Sequence, residues 1–113
     1  MSKEEFEKVS MEFSRLQNQM NELIGARSQL ETQFQENKIV LDEFELLDDS
    51  AKIYKLTGPV LLPQEYSEAK MNVEKRIDFI KGEITRVEDK IKLSELDMAA
   101  AREKLLAIRS QLM

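Results

Sequence analysis

The sequence predicts a mainly α fold in which two long helices pair as an antiparallel coiled coil and a short β-hairpin joins them. Three observations predict it. Apolar residues recur at steps of three and four along both halves of the chain. The two periodic stretches are almost equal in length, and the segment between them is rich in β-formers around a Gly-Pro turn. With 113 residues there is room for a single domain, and the expected boundaries are 2–48 for the first helix, 52–62 for the hairpin and 63–113 for the second helix.

The first helix opens on Ser2 and Glu5, the S-x-x-E spacing of a capping box. From there Phe6, Phe13, Met20, Phe34 and Leu41 share heptad position a, while Val9, Leu16, Leu23, Leu30 and Phe44 share position d. Such steps hold side chains on one face only if the chain is helical and supercoiled. Arg27 at a and Asn37 at d interrupt the seam. Either they fix register by demanding a polar neighbour, or Arg27 snorkels out along its methylenes and Asn37 lies close to water. The stretch Glu43 to Ser50 ends the helix, because acidic side chains oppose the dipole at a C-terminus and Asp-Asp-Ser favours turns. These acids lack the spacing and central glycine of a calcium loop and read as a solvated shoulder.

Lys52 to Leu56 and Val60 to Leu62 are the expected strands, with Thr57-Gly58-Pro59 between them. No Gly-Lys-Ser/Thr follows Gly58 and Pro59, so they form a structural turn and no phosphate loop. A lone two-stranded hairpin is marginal in water, and the blunt end of a two-helix coil offers it little to pack against. Its open edges and the residues Ile53, Tyr54, Leu56, Val60, Leu61 and Leu62 need cover. Hairpins of other subunits can supply it by edge pairing into a shared sheet or barrel, which predicts an oligomer joined at this end. The simpler reading folds the hairpin onto Leu46 and Leu47 in a monomer.

Pro63 suits the first turn of the second helix, with Gln64 and Glu65 near its positive end. Ile77, Ile84, Ile91, Met98, Leu105 and Leu112 then lie at a, and Val73, Ile80, Val87, Ala101 and Ile108 at d, with Ser94 the polar member of the seam. Folding back places residues whose numbers sum to about 117 opposite one another. The weak positions Arg27 and Ser94 then cluster mid-arm, where a loose or wet stretch is expected, and Glu12 comes within reach of Lys104. Gly25 and Gly82 fall on outer f positions as points of flexibility or close packing, each costing about 1 kcal/mol of helix propensity relative to alanine.

Composition excludes much chemistry. The chain has no cysteine and no histidine, which removes disulfides, thiolate or imidazole metal sites and histidine acid–base catalysis. No catalytic, cofactor-binding or metal-binding residue is assigned, and carboxylates alone, without a concave apolar pocket to tune them, do not make an enzyme. The net charge of −5 and the alternation of acids with bases argue against nucleic acid as a partner. No apolar run reaches transmembrane length and no export signal is visible, so no membrane partner is expected and the cytoplasm is the expected location.

The far ends carry the remaining candidates. Phe6, Val9, Met11 and Phe13 would meet Leu105, Leu106, Ile108, Leu112 and Met113 at the end remote from the hairpin. Two helices cannot bury both sides of their seam, and flexible methionine and aliphatic side chains adapt to varied apolar partners. Client binding and ordinary core packing both account for these residues.

The run Leu30-Glu31-Thr32-Gln33-Phe34-Gln35-Glu36-Asn37, the run Tyr54-Lys55-Leu56-Thr57-Gly58-Pro59-Val60-Leu61 and the stretch from Glu68-Ala69 through Glu74-Lys75-Arg76-Ile77 together resemble a β-type prefoldin subunit. The resemblance covers nearly the whole chain, and its central part is the specific one. It implies a heterohexamer of two α-type and four β-type subunits whose hairpins build a shared β-barrel platform carrying six coiled coils. It also implies an ATP-independent chaperone, without cofactors, that holds non-native proteins such as actin and tubulin chains and passes them to the cytosolic chaperonin. Assembly would fall on Ile53, Tyr54, Leu56, Gly58, Pro59, Val60, Leu61 and Leu62. Client binding would fall regionally on the segments around Phe6 to Phe13 and Leu105 to Met113. The competing reading is a coiled-coil scaffold or adaptor that binds one folded partner.

Overall fold

The computed structural model describes the backbone of residues 3–47, 53–57 and 60–112, and the side chains of residues 3–47 and 65–112. The element order is α1 (Lys3–Glu45), β1 (Ile53–Thr57), β2 (Val60–Gln64) and α2 (Tyr66–Leu112). The two helices form an antiparallel coiled coil, and its seam is the one the heptads predict except at Leu112, an expected a position that is exposed. Every a and d position from Phe6 to Phe44 and from Val73 to Ile108 is buried or half-buried. Residues at three- and four-residue spacing stay on the facing side of both helices, and that geometry alone removes them from water.

The chain divides into two compact units, one of Met1–Gln29 with Thr85–Met113 and one of Leu30–Ile84. In the unit of residues 30–84, Phe44, Ala69, Val73 and Ile77 form a buried cluster with Phe34, Leu41 and Tyr66 packed against it. Burying one valine or isoleucine side chain contributes about 1.5–3 kcal/mol. Tyr66 links the end of α1 to the start of α2 twice over. Its hydroxyl donates to the Phe44 carbonyl at 2.6 Å, and the two rings lie 5.8 Å apart in a tilted arrangement. The carbonyls of a helix's last turn have no partner within the helix, and this hydroxyl gives the Phe44 carbonyl a donor besides the Leu47 N–H. Farther along, Lys81 lies over the Phe34 ring at 5.7 Å, and the Arg76 guanidinium donates to Asn37 Oδ1 at 3.4 Å. These pairings are antiparallel and lie within one helical turn of the expected register.

In the other unit, Leu16, Met20, Ile91, Ala101 and Ile108 are buried. Ser94 is buried with them, 5% exposed, and its Oγ has no hydrogen-bond partner. The expected pair of Glu12 with Lys104 is replaced by a pair within α1: Arg15 Nε donates to Glu12 Oε2 at 3.1 Å, and a second guanidinium nitrogen donates to Oε1. Residues three apart on one helix face meet more readily than residues on two helices. Gly25 answers one expectation, since a Cβ there would meet nothing within 4 Å and close packing does not require the glycine.

The boundaries differ from those expected. α1 ends at Glu45, where the Leu46 and Leu47 N–H groups donate to the Glu43 and Phe44 carbonyls at 3.1 Å in a tightened final turn. No basic side chain lies in that last turn to favour its continuation. Pro63 does not open α2; it lies in β2, opposite Tyr54. A proline lacks the N–H that a ladder uses, but its fixed φ is compatible with an edge strand, and both strands of a two-stranded sheet are edges. The helix begins after Glu65, whose carbonyl accepts from the Ala69 N–H at 2.9 Å. Ser2 of the proposed capping box lies outside the described residues.

The fold-class expectation needs one correction. The shared β-barrel platform is not part of the fold: among the described residues the sheet is β1 paired antiparallel with β2 and nothing more. Two five-residue strands leave both outer edges open, and one chain with two strands cannot close a barrel.

Candidate functional site

The candidate client-binding residues converge on the end of the first unit where α1 begins and α2 finishes. They reach this end because α1 and α2 run in opposite directions. The structure sorts them into three groups. Met11, 74% exposed, and Leu106, 57% exposed, lie off the seam at outer heptad positions, and Leu112 is exposed as well. Phe6, Val9, Phe13 and Leu105 are half-buried in the seam. Ile108 is 3% exposed and belongs to the core, so it cannot touch a client without local opening of the coil. Its d position on a well-packed stretch of seam accounts for that burial. Met113 lies outside the described residues.

A groove of about 650 Å³ runs between the helices beside these residues. Val9, Leu16 and Ala101 give it apolar walls, and Lys8, Glu12, Arg15, Asp97 and Lys104 add charges of both signs to its lining. Ala100 and Ala101 are too small to fill the space between the helices. The Arg15 guanidinium holds the Glu12 carboxyl below its ordinary value, chiefly by hydrogen bonding. Arg15 is raised in turn, first by its hydrogen bond to Glu12, with Asp97 of the facing helix adding a smaller attraction. Arg15 therefore sits between two carboxylates, and with charges of both signs in its lining the groove suits a mixed surface and not an anion site.

Sequence reasoning missed Leu93 and Leu96, both largely exposed on the outer face of α2 in the same unit. Their signal was present, since leucines at positions c and f have no partner in a two-helix seam. It also missed Arg76 as the partner of Asn37 and Tyr66 as the link between the helices.

For the assembly candidates, the backbone register is defined. Ile53 faces Gln64, Tyr54 faces Pro63, Lys55 faces Leu62, Leu56 faces Leu61 and Thr57 faces Val60. Gly58 and Pro59 lie outside the described residues. Leu46, on which the hairpin would rest in the monomeric reading, is 87% exposed.

Among the described residues no group of three or more carboxylates could hold a metal ion, and no helix is long and apolar enough to cross a membrane. Comparison with known proteins adds the decisive context. The family model described as "Prefoldin subunit" matches residues 7–111. Prefoldin subunit 6 of Saccharomyces cerevisiae is 46% identical over 102 residues, covering 90% of each chain. Prefoldin subunit 6 of Homo sapiens is 38% identical over 99 residues, covering 88% of this chain and 77% of its own. In structure, the prefoldin beta subunit from Thermococcus strain KS-1 superposes with a TM-score of 0.86 over 92% of this chain and 91% of that one, at 17% identity, a likeness of fold. The heptads, the hairpin between them and these matches together show that the chain belongs to the prefoldin subunit family and is of its β type.

Proposed function

We propose that this chain is one subunit of a heterohexameric chaperone, that it joins its α-type and β-type neighbours through the hairpin, and that it holds non-native polypeptides where α1 begins and α2 finishes. Prefoldin family members are chaperones that bind unfolded protein and are not enzymes. The family context also supports association with other prefoldin subunits, with clients and with a chaperonin. The finer reading is that actin and tubulin chains are clients, that they pass to the cytosolic chaperonin, and that the site of action is the cytoplasm.

The observation that carries the client-binding part is the exposure of Met11 and Leu106 beside a half-buried ring of Phe6, Val9, Phe13 and Leu105. Such side chains offer a client adaptable apolar contact without demanding a shape. Each contact is weak, and several subunits on one base raise the avidity. For assembly, Ile53, Tyr54, Leu56, Val60, Leu61 and Leu62 lie on short strands whose outer edges another chain can pair with; Gly58 and Pro59 belong to the same assembly proposal by their place in the sequence.

Changing Met11 and Leu106 to serine tests the client site. These side chains are exposed, so the helices and the assembly should persist. The assembled complex should then need about tenfold more protein to suppress aggregation of denatured actin, corresponding to about 1.4 kcal/mol of lost binding. Undiminished suppression by an intact complex would remove these residues from the site.

A further inference from the structure

In the unit of Met1–Gln29 and Thr85–Met113, the outer face of α2 is apolar over a length that pairing with α1 does not require. From Leu93 to Ala107 the heptad positions turned away from the seam, b, c and f, hold leucine or alanine except at Glu103. Leu93, Leu96 and Leu106 are 63%, 67% and 57% exposed, and the exposed Ala99, Ala100 and Ala107 fill the gaps between them. Steps of three and four keep these side chains on one strip, about 20 Å long at about 1.5 Å per residue. Its borders at positions e and g carry Glu95 and Asp97 against Arg102 and Lys104, so the flanking charges cancel.

We propose that this strip extends the client site along α2 and takes amphipathic helical segments of a non-native polypeptide. The inference rests on the client-binding reading above and names the kind of segment that is held. Continuity argues for a client as the occupant. Leu106 belongs both to the strip and to the exposed client-binding candidates, and Ala100 also lines the groove between the helices. A segment on the strip therefore runs on to the end where α1 begins and α2 finishes. Backbone chemistry argues for a helical segment. The strip lies inside α2, where the helix's own ladder uses the backbone groups. An extended segment laid there would find no backbone partner and would cover its own N–H and C=O groups unpaired. A helical segment brings its hydrogen bonds with it, and its apolar residues at steps of three and four match the spacing of the strip. The alanines between the leucines leave room for the larger side chains of such a partner. With balanced charges at the borders, selection is by apolar pattern and not by the client's net charge.

Fluorescence anisotropy on the complex assembled with its prefoldin partner subunits tests the strip. The probe is a labelled peptide of about 16 residues whose leucines recur at steps of three and four among lysines and glutamates. A second peptide keeps those leucines and carries a central proline, which breaks the helix. The Leu93→Gln, Leu96→Gln variant is measured beside the Met11→Ser, Leu106→Ser variant. All four side chains are exposed, and circular dichroism and native mass check that helicity and assembly are kept. The helical peptide should bind the wild-type complex, and about tenfold more weakly after Leu93→Gln, Leu96→Gln. The proline peptide should bind the wild type about tenfold more weakly than the helical one. Suppression of denatured actin aggregation should fall in both variants. A helical peptide that does not bind, that binds the Leu93→Gln, Leu96→Gln variant as well as the wild type, or that binds no better than the proline peptide would overturn the proposal. Suppression lost only in the Met11→Ser, Leu106→Ser variant would remove the strip and leave the client-binding reading standing. Suppression lost in neither variant would remove both.

Discussion

Ser94 shows how one residue can be correctly placed by the sequence and still have a consequence that only packing reveals. Its heptad position predicted a seam residue, and it is a seam residue. The cost arises because its hydroxyl reaches no partner, and a buried polar group without one costs about 1–3 kcal/mol. Ser94→Ala removes that hydroxyl and little volume, so urea denaturation should show a gain of about 1 kcal/mol; a loss of stability would mean the hydroxyl is satisfied. Asn37 resolves differently. Its Nδ2 donates to the Gln33 carbonyl at 2.8 Å and its Oδ1 accepts from Arg76, so it has a polar neighbour across the seam. The sequence showed the asparagine but not this partner, because Arg76 sits at a g position where charge is ordinary.

At the scale of elements, the helices were legible and their junctions less so. Heptad spacing dictates which side of a helix leaves water, and for that reason the seam could be read from Phe6 to Phe44 and from Val73 to Ile108 without knowing the structure. Junctions depend on a few hydrogen bonds that periodicity does not encode. Pro63 fits the first turn of a helix and an edge strand equally well by its φ, and pairing with Tyr54 decides for the strand. Tyr66 precedes the first predicted seam residue, yet its hydroxyl and ring tie α2 to the last turn of α1. Tyr66→Phe keeps the ring contact and loses the hydrogen bond. It should cost about 1 kcal/mol in denaturation experiments, and a neutral outcome would show that the Leu47 N–H and water satisfy the Phe44 carbonyl without the hydroxyl.

At the scale of the whole molecule, the proposed functions fall on two regions that are far apart in sequence. Composition had already removed redox and imidazole chemistry, and what remained was surface: free strand edges in the middle of the sequence and adaptable apolar side chains near both termini. The proposed client site was legible only as a region. Heptads identify residues that pack, so Ile108 entered the candidate set although it is core, while Leu93 and Leu96 escaped it although they are exposed. The barrel was never a property of one chain, because two strands cannot supply it.

The central claim is that this chain works as a subunit joined through its hairpin, and native mass measurement after co-expression with an α-type prefoldin partner tests it most directly. The wild-type chain should enter a hexameric particle, and the Leu56→Asp, Val60→Asp double variant should leave the chain helical but absent from it. A particle that retains the double variant, or a wild-type chain that never enters one, would contradict the account.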